Sequence, residues 1–116
     1  MSEQLTTKKN SNKLFESVLS YIKQNYTKNI SREDVAREVY ITPGYVSLLF
    51  KQEMKTSFLD YLHKIRIDEA CHKLTDQSLR IGDVAHEVGY SDEKYFFQVF
   101  KKYIGMTPNQ YRNNLS

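Results

Sequence analysis

The chain is poor in the residues that carry most covalent and redox chemistry. Its 116 residues include one cysteine, Cys71, so no disulfide can form within it, and such usage fits a reducing compartment. No apolar run approaches the about 18 residues of a membrane span, and the first residues lack the apolar segment of a secretory leader. The expected location is cytoplasmic, with no membrane contact. Histidine is scarce: His63, His72 and His86 are the three present. His63 and His72 fall on opposite sides of one helical pattern. Cys71 and His72, as sequence neighbours, point about 100° apart. No metal site is therefore expected, and Cys71 reads as a small core residue. No Ser-His-Asp set, paired carboxylates or Gly-rich phosphate loop is discernible. Neither an enzyme nor a cofactor is expected, and no alternating strand pattern is found.

What is present is an apolar fraction of 40%, with 13% aromatic residues supplied by Tyr and Phe. That suffices for one small domain with a modest core. The net charge of +3 suits a nucleic-acid partner without singling one out. Residues 1–12, MSEQLTTKKNSN, are polar and read as a disordered lead or linker, so the domain is expected over 13–113.

Apolar spacing is helical throughout that range. Leu14, Phe15, Val18, Leu19, Ile22 and Tyr26 form one stripe, predicting a helix over about 13–27. Ser31 and Asp34 form a capping box ahead of a helix burying Val35, Ala36 and Val39. Thr42-Pro43 is a cap followed by proline at the first helical position, and opens a helix with inner face Val46, Leu49 and Phe50. Ser57 and Asp60 form another capping box at the start of a long helix over about 57–75. Its apolar face changes sides, from Phe58, Tyr61, Leu62 and Ile65 to Ile67, Ala70, Cys71 and Leu74, as expected of a rod joining two small cores. A fifth helix buries Ile81, Val84, Ala85 and Val88, with Gly89 placed to end it in a left-handed turn. Ser91 is expected to cap a sixth, with inner face Phe96, Val99, Phe100 and Tyr103, ended by Gly105. Thr107, Pro108 and Gln110 start a short seventh helix carrying Tyr111.

The two halves repeat. Asp34, Val35, Ala36, Glu38 and Val39 recur 49 positions later as Asp83, Val84, Ala85, Glu87 and Val88. If Gly89 is taken as an inserted residue, Tyr40, Tyr45, Phe50, Lys51 and Tyr61 recur 50 positions later as Tyr90, Tyr95, Phe100, Lys101 and Tyr111. Each copy is a short helix, a tight turn and a second helix, the helix-turn-helix pattern. Its second helix can lie in the major groove of DNA while the first crosses the backbone. Short helical pairs also occur in bundles that bind no DNA; two copies with a bridging helix favour the DNA reading. The fold expected is all-α: seven helices, with subdomain one over 13–56, a linker helix over 57–75 and subdomain two over 76–113.

These residues resemble the AraC/XylS family of transcription regulators. The resemblance is carried by Ile81-Gly82-Asp83-Val84-Ala85, Val88-Gly89-Tyr90-Ser91-Asp92, Tyr95-Phe96 and Phe100-Lys101-Lys102, with the tail Gly105-Met106-Thr107-Pro108 and Tyr111-Arg112. The first copy matches through Val35-Ala36, Tyr45-Val46-Ser47, Phe50-Lys51 and Phe58. Arg66 and Ala70 match on the long helix. The resemblance implies two recognition helices, about 43–53 and 92–103, entering successive major-groove segments of double-stranded DNA. Val39-Tyr40-Ile41 is similar to the version attached to response-regulator receivers. Three positions depart from the family pattern: Lys55 in place of a glycine, Leu48 in place of a polar residue, and Phe97 in place of a small polar one.

Candidate base readers are Gly44, Ser47 and Leu48 in the first copy and Lys94, Tyr95 and Gln98 in the second. Lysine suits guanine and glutamine adenine, whereas serine and leucine are permissive, so the second helix is expected to discriminate more. Candidate phosphate contacts are Thr42, Tyr45, Lys51, Ser91, Lys101 and Lys102; the lysines are otherwise ordinary charged surface, and Tyr45 and Tyr95 read more readily as half-buried braces of the recognition helices than as phosphate donors. Arg66 is expected to order the fold by pairing across the subdomains. The alternative function is a helical protein-interaction adaptor without DNA binding, for a partner such as RNA polymerase, to which Leu48 and Phe97 would lend weight if exposed. RNA binding lacks an aromatic platform on strands. Seven helices leave little room for an effector pocket. The chain is thus expected to be a piece of a longer regulator with an N-terminal regulatory domain, or a small stand-alone member.

Overall fold

The computed structural model describes residues 2–115, with side chains from Lys13 onward. Seven helices follow in order: α1 Ser2–Asn25, α2 Arg32–Glu38, α3 Pro43–Met54, α4 Phe58–Lys73, α5 Ile81–Glu87, α6 Glu93–Ile104 and α7 Pro108–Asn114. No strand occurs among the described residues. The polar segment expected to be an irregular lead continues α1 back to Ser2; the side chains of residues 1–12 lie outside the described ones.

The caps that the sequence announces ahead of α2, α3, α4 and α7 are formed. The Ser31 hydroxyl accepts from the Asp34 amide at 3.1 Å while the Asp34 carboxylate accepts from the Ser31 amide at 2.9 Å. Thr42 accepts from the Tyr45 amide at 3.1 Å, with Pro43 at the first helical position. Ser57 accepts from the Asp60 amide at 3.1 Å. Thr107 and Gln110 close a second full box ahead of α7. Each supplies a partner for amides that the first helical turn leaves unbonded.

The chain divides into two compact units. One takes α1 and Ile30–Asp60; the other takes Tyr26–Asn29 and the chain from Tyr61 on. In the first unit Phe15, Val18 and Ile22 of α1, Val35 and Ala36 of α2, and Val46, Leu49 and Phe50 of α3 are buried. Phe15 and Phe58 each present an edge to Phe50, at centroid distances of 5.1 and 6.3 Å. In the second unit Ile67, Ala70 and Leu74 of α4 join Val84, Ala85, Val88, Tyr90, Phe96, Val99 and Phe100 in one cluster, with Cys71, Phe97, Tyr103 and Tyr111 packed against it. Fully burying a side chain such as Phe50 or Phe100 contributes about 1.5–3 kcal/mol.

The linker helix is thus less independent than its two-sided pattern suggests. From Tyr61 on, α4 belongs to the second unit, because its later apolar residues are that unit's core. Arg66 donates to the carbonyls of Tyr26 and Lys28, both at 2.8 Å, and these residues cluster with the second unit. The guanidinium therefore ties the α1–α2 connection to α4 within one unit.

The repeat is real, but its inserted residue is Ser91, not Gly89. Tyr40 has a left-handed φ of 62° where the second copy has Gly89 at 107°. The Ile41 amide bonds the Ala36 carbonyl at 3.0 Å, as the Tyr90 amide bonds Ala85 at 2.9 Å. The offset of 49 therefore continues through Ile41 and Tyr90. It becomes 50 at the caps, Thr42 and Asp92. Tyr40 is 94% exposed and Tyr90 3%, so the two tyrosines are not equivalents. Identity of residue type outweighed backbone conformation in the sequence comparison.

Candidate nucleic-acid interface

Each unit presents the outer face of its second helix to solvent. On α3, Gly44, Tyr45, Leu48 and Lys51 are exposed together with the cap Thr42. Leu48 is 48% exposed, and a side chain placed on Gly44 would meet nothing within 4 Å. On α6, Lys94, Tyr95, Gln98, Lys101 and Lys102 are exposed, as is Ser91 ahead of the helix. The spacing of these positions, three and four apart, puts them along one side of each helix, opposite the buried Val46, Leu49 and Phe50 or Phe96, Val99 and Phe100.

The two helix starts differ chemically. The Thr42 oxygen accepts from the Tyr45 amide, which leaves its proton available for an anionic oxygen. Ser91 was expected in the same role on α6, but the cap there is Asp92, whose carboxylate accepts from the Lys94 amide at 2.9 Å. A carboxylate is favoured at a helix N-terminus by the dipole as well as by the bond. It has no proton to donate and repels phosphate, which leaves the exposed Lys94 and the Ser91 hydroxyl as the groups at this start able to meet an anion.

Ser47 and Phe97 occupy equivalent positions, and neither is a freely exposed reader. Ser47 is half-buried and accepts from an Arg32 guanidinium nitrogen at 2.7 Å; Arg32 also lies 3.8 Å from Glu33. Phe97 is half-buried against the second core, its ring 6.1 Å from that of Phe96, so the exposure considered for it is not found. The repeat explains both. Position 32 corresponds to Ile81, which also packs on the second core. A polar pair in one copy is thus replaced by two apolar residues in the other, and the Phe97 departure is a packing substitution.

Four residues that the sequence reading did not single out for these roles matter here. Arg32 stands beside the α3 candidate Ser47; only comparing both copies at once, Arg32 with Ile81 and Ser47 with Phe97, would have exposed it. Asp92 was masked by the more familiar Ser91. Arg112 donates to the carbonyls of Leu74 and Asp76, both at 3.1 Å, closing the carbonyl end of α4. His63 is buried at 7% exposure, between Tyr90 and Tyr95. Burial raises the Tyr90 hydroxyl well above the usual tyrosine range, with Arg66 opposing the rise, and it raises the Cys71 thiol. Among the described residues no group of three or more His, Cys, Asp or Glu is placed to hold a metal ion, and no helix is long and apolar enough to cross a membrane.

Two short-helix, turn, longer-helix units, each with an uncovered second helix, define a tandem helix-turn-helix protein. A family profile described as a helix-turn-helix domain matches residues 35–114, and the chain belongs to that family, in its AraC-type form. It is 35% identical over 112 residues to YijO of Escherichia coli K12, an uncharacterized HTH-type transcriptional regulator, across 97% of this chain and 40% of that protein. The chain thus spans well under half the length of that relative. Among solved structures it is similar to the C-terminal domain of AraT, a response regulator from Geobacillus stearothermophilus (TM-score 0.84, 35% identity, 87% of this chain and 84% of that one). It is also similar to a DNA-binding transcriptional dual regulator from Escherichia coli K-12 (TM-score 0.77, 28% identity, 84% and 87%).

Proposed function

We propose that the chain reads double-stranded DNA in transcription regulation, with α3 and α6 as recognition helices in successive major-groove segments. The observation that carries this is the duplicated unit with the outer face of its second helix uncovered in both copies. Thr42, Tyr45 and Lys51 on one side and Ser91, Lys101 and Lys102 on the other would hold phosphates, which position without specifying. Gly44, Ser47 and Leu48 would read permissively, with Leu48 suited to a thymine methyl. Lys94, Tyr95 and Gln98 would discriminate more, because lysine matches guanine acceptors and glutamine matches adenine. Engagement of Ser47 by Arg32 supports that inequality, and it brings Arg32 into the first reader. Arg66 has a structural part, ordering the connection into the second unit.

The place of action that this reading implies is the cytoplasm. The response regulator among its structural relatives and the greater length of YijO support an N-terminal regulatory domain outside this chain. RNA polymerase is the partner that the adaptor alternative would take. The deciding experiment is selection from random duplex DNA followed by titration against salt. Two short motifs about ten base pairs apart, with a log–log salt slope near −0.9 for each phosphate neutralised, are expected. Absent duplex binding, or affinity flat with salt, refutes the proposal and favours the adaptor.

A further inference from the structure

A buried histidine sits directly behind the second recognition helix. His63, on α4, places Nδ1 2.6 Å from the Tyr90 hydroxyl and Nε2 3.2 Å from the Tyr95 hydroxyl. Its ring lies parallel to that of Tyr90, at a centroid distance of 5.8 Å and an interplanar angle of 3°, and meets Tyr95 edge-on at 5.8 Å. The Arg66 guanidinium lies 5.2 Å from the Tyr90 ring centroid, and Tyr103 closes the group at 6.3 Å from His63. Tyr90 is 3% exposed, while Tyr95 is 45% exposed on the first turn of α6. The chain of contacts therefore begins in the core and ends at the surface assigned to DNA.

Burial of the Tyr90 hydroxyl favours one direction of donation along this chain. A neutral imidazole has one donor and one acceptor nitrogen, and a hydroxyl can do both. The buried Tyr90 hydroxyl needs an acceptor for its proton, and Nδ1 supplies one at 2.6 Å. The ring proton then sits on Nε2 and is donated to the Tyr95 oxygen. With that oxygen already accepting, the Tyr95 proton turns outward. Bonds aligned head to tail polarise one another and strengthen the terminal donor.

We propose that His63 is a positioning residue for the second reader: through the ordered run Tyr90 to His63 to Tyr95, it holds the Tyr95 hydroxyl as a hydrogen-bond donor toward an acceptor on the bound duplex. This rests on the DNA-binding reading above and adds to it a residue that touches no DNA. It also assigns Tyr95, otherwise readable as a brace, a contact by its hydroxyl.

The test has one arm without DNA and one with it. In the free protein, the ring nitrogen chemical shifts of His63 should report a proton on Nε2 and an acceptor at Nδ1; a proton on Nδ1 overturns the proposal whether or not the chain binds DNA. In the second arm, wild type is titrated first with duplexes carrying selected sites, and failure there refutes the DNA reading alone. Tyr95→Phe and His63→Phe should each then weaken binding by about tenfold, the scale of one hydrogen bond to a charged group. The double variant should lose no more than either single one. His63→Gln, whose amide can donate to Tyr95, should restore binding to within about threefold of wild type, even if its melting temperature is lowered. A loss uniform over sequences, with the salt slope unchanged because the hydroxyl carries no charge, identifies the acceptor as phosphate; a loss confined to selected sites identifies a base edge. Tyr95→Phe binding like wild type, or additive losses, overturns the proposal, as does failure of His63→Gln to restore binding while its fold, checked by its amide spectrum, is intact.

Discussion

Replacing Gly89 by alanine tests the most constrained point of the second unit. Gly89 has φ of 107°, outside the range L-residues favour, and a left-handed alanine costs about 1–2 kcal/mol. A Cβ there would also stand 2.8 Å from the Tyr26 carbonyl oxygen and 2.9 Å from Arg66 Nε. Those are the two atoms of one 2.8 Å hydrogen bond. Backbone oxygen cannot rotate away, so relief requires Arg66 to leave it, forfeiting a charged-donor bond of about 1.5–3 kcal/mol. The expected loss is about 2.5–5 kcal/mol, a large fraction of the about 5–15 kcal/mol available to a domain. Gly105 is the internal control. Its φ is 89°, but nothing lies within 4 Å of the added carbon, so Gly105→Ala should cost only the backbone part, about 1–2 kcal/mol. Urea unfolding followed by far-UV circular dichroism measures both. Equal losses in the two variants would show that the close approach of Arg66 and Tyr26 to Gly89 carries no energy, and would refute the reasoning.

The reverse substitution should stabilise. Lys55, left-handed at φ 53° and exposed, should gain up to about 1 kcal/mol on Lys55→Gly, read as a raised urea midpoint with unchanged slope. Arg66→Lys should destabilise by about 1–3 kcal/mol, because one ammonium cannot reproduce a planar fork on two carbonyls; an unchanged midpoint would contradict the tie to Tyr26 and Lys28. The capping bonds from Ser31, with Arg37 adding to them, hold the Asp34 carboxyl below the usual carboxylate range. Because the folded value is the lower one, this contribution is fully present above the unfolded value of about 3.9 and is lost as pH falls through the folded value. Asp34→Asn should therefore flatten that part of the acid stability profile, measured as urea midpoint against pH. Lys94→Ala with Gln98→Ala should relax site preference more than Ser47→Ala with Leu48→Ala, scored as the ratio of affinity for selected to random duplexes; the opposite order would make α3 the discriminating reader.

Much of the architecture could be read along the chain because it is locally encoded. Helical apolar spacing, the Ser31–Asp34 box, Thr42-Pro43 and the left-handed turn at Gly89 each act within a few residues, and each appears in the folded unit as the pattern implies. The errors came where two local signals competed. A serine and an aspartate stand side by side ahead of α6, and either residue type caps helices; the backbone selected Asp92. Two tyrosines, Tyr40 and Tyr90, matched by type, while the turn geometry matched Tyr40 to Gly89.

What tertiary structure alone decided concerns atoms far apart in sequence. That Arg66 would find the carbonyls of Tyr26 and Lys28, that Arg32 would hold Ser47, and that His63 would stand between a buried and an exposed tyrosine depend on how helices pack. No periodicity encodes those distances. The order of helices, their caps and the duplicated unit follow from the sequence itself, because backbone hydrogen bonding and burial of one face are short-range and repetitive. Which polar side chains support the reading faces is set only when the cores close, because a hydrogen bond is won or lost over a few tenths of an ångström.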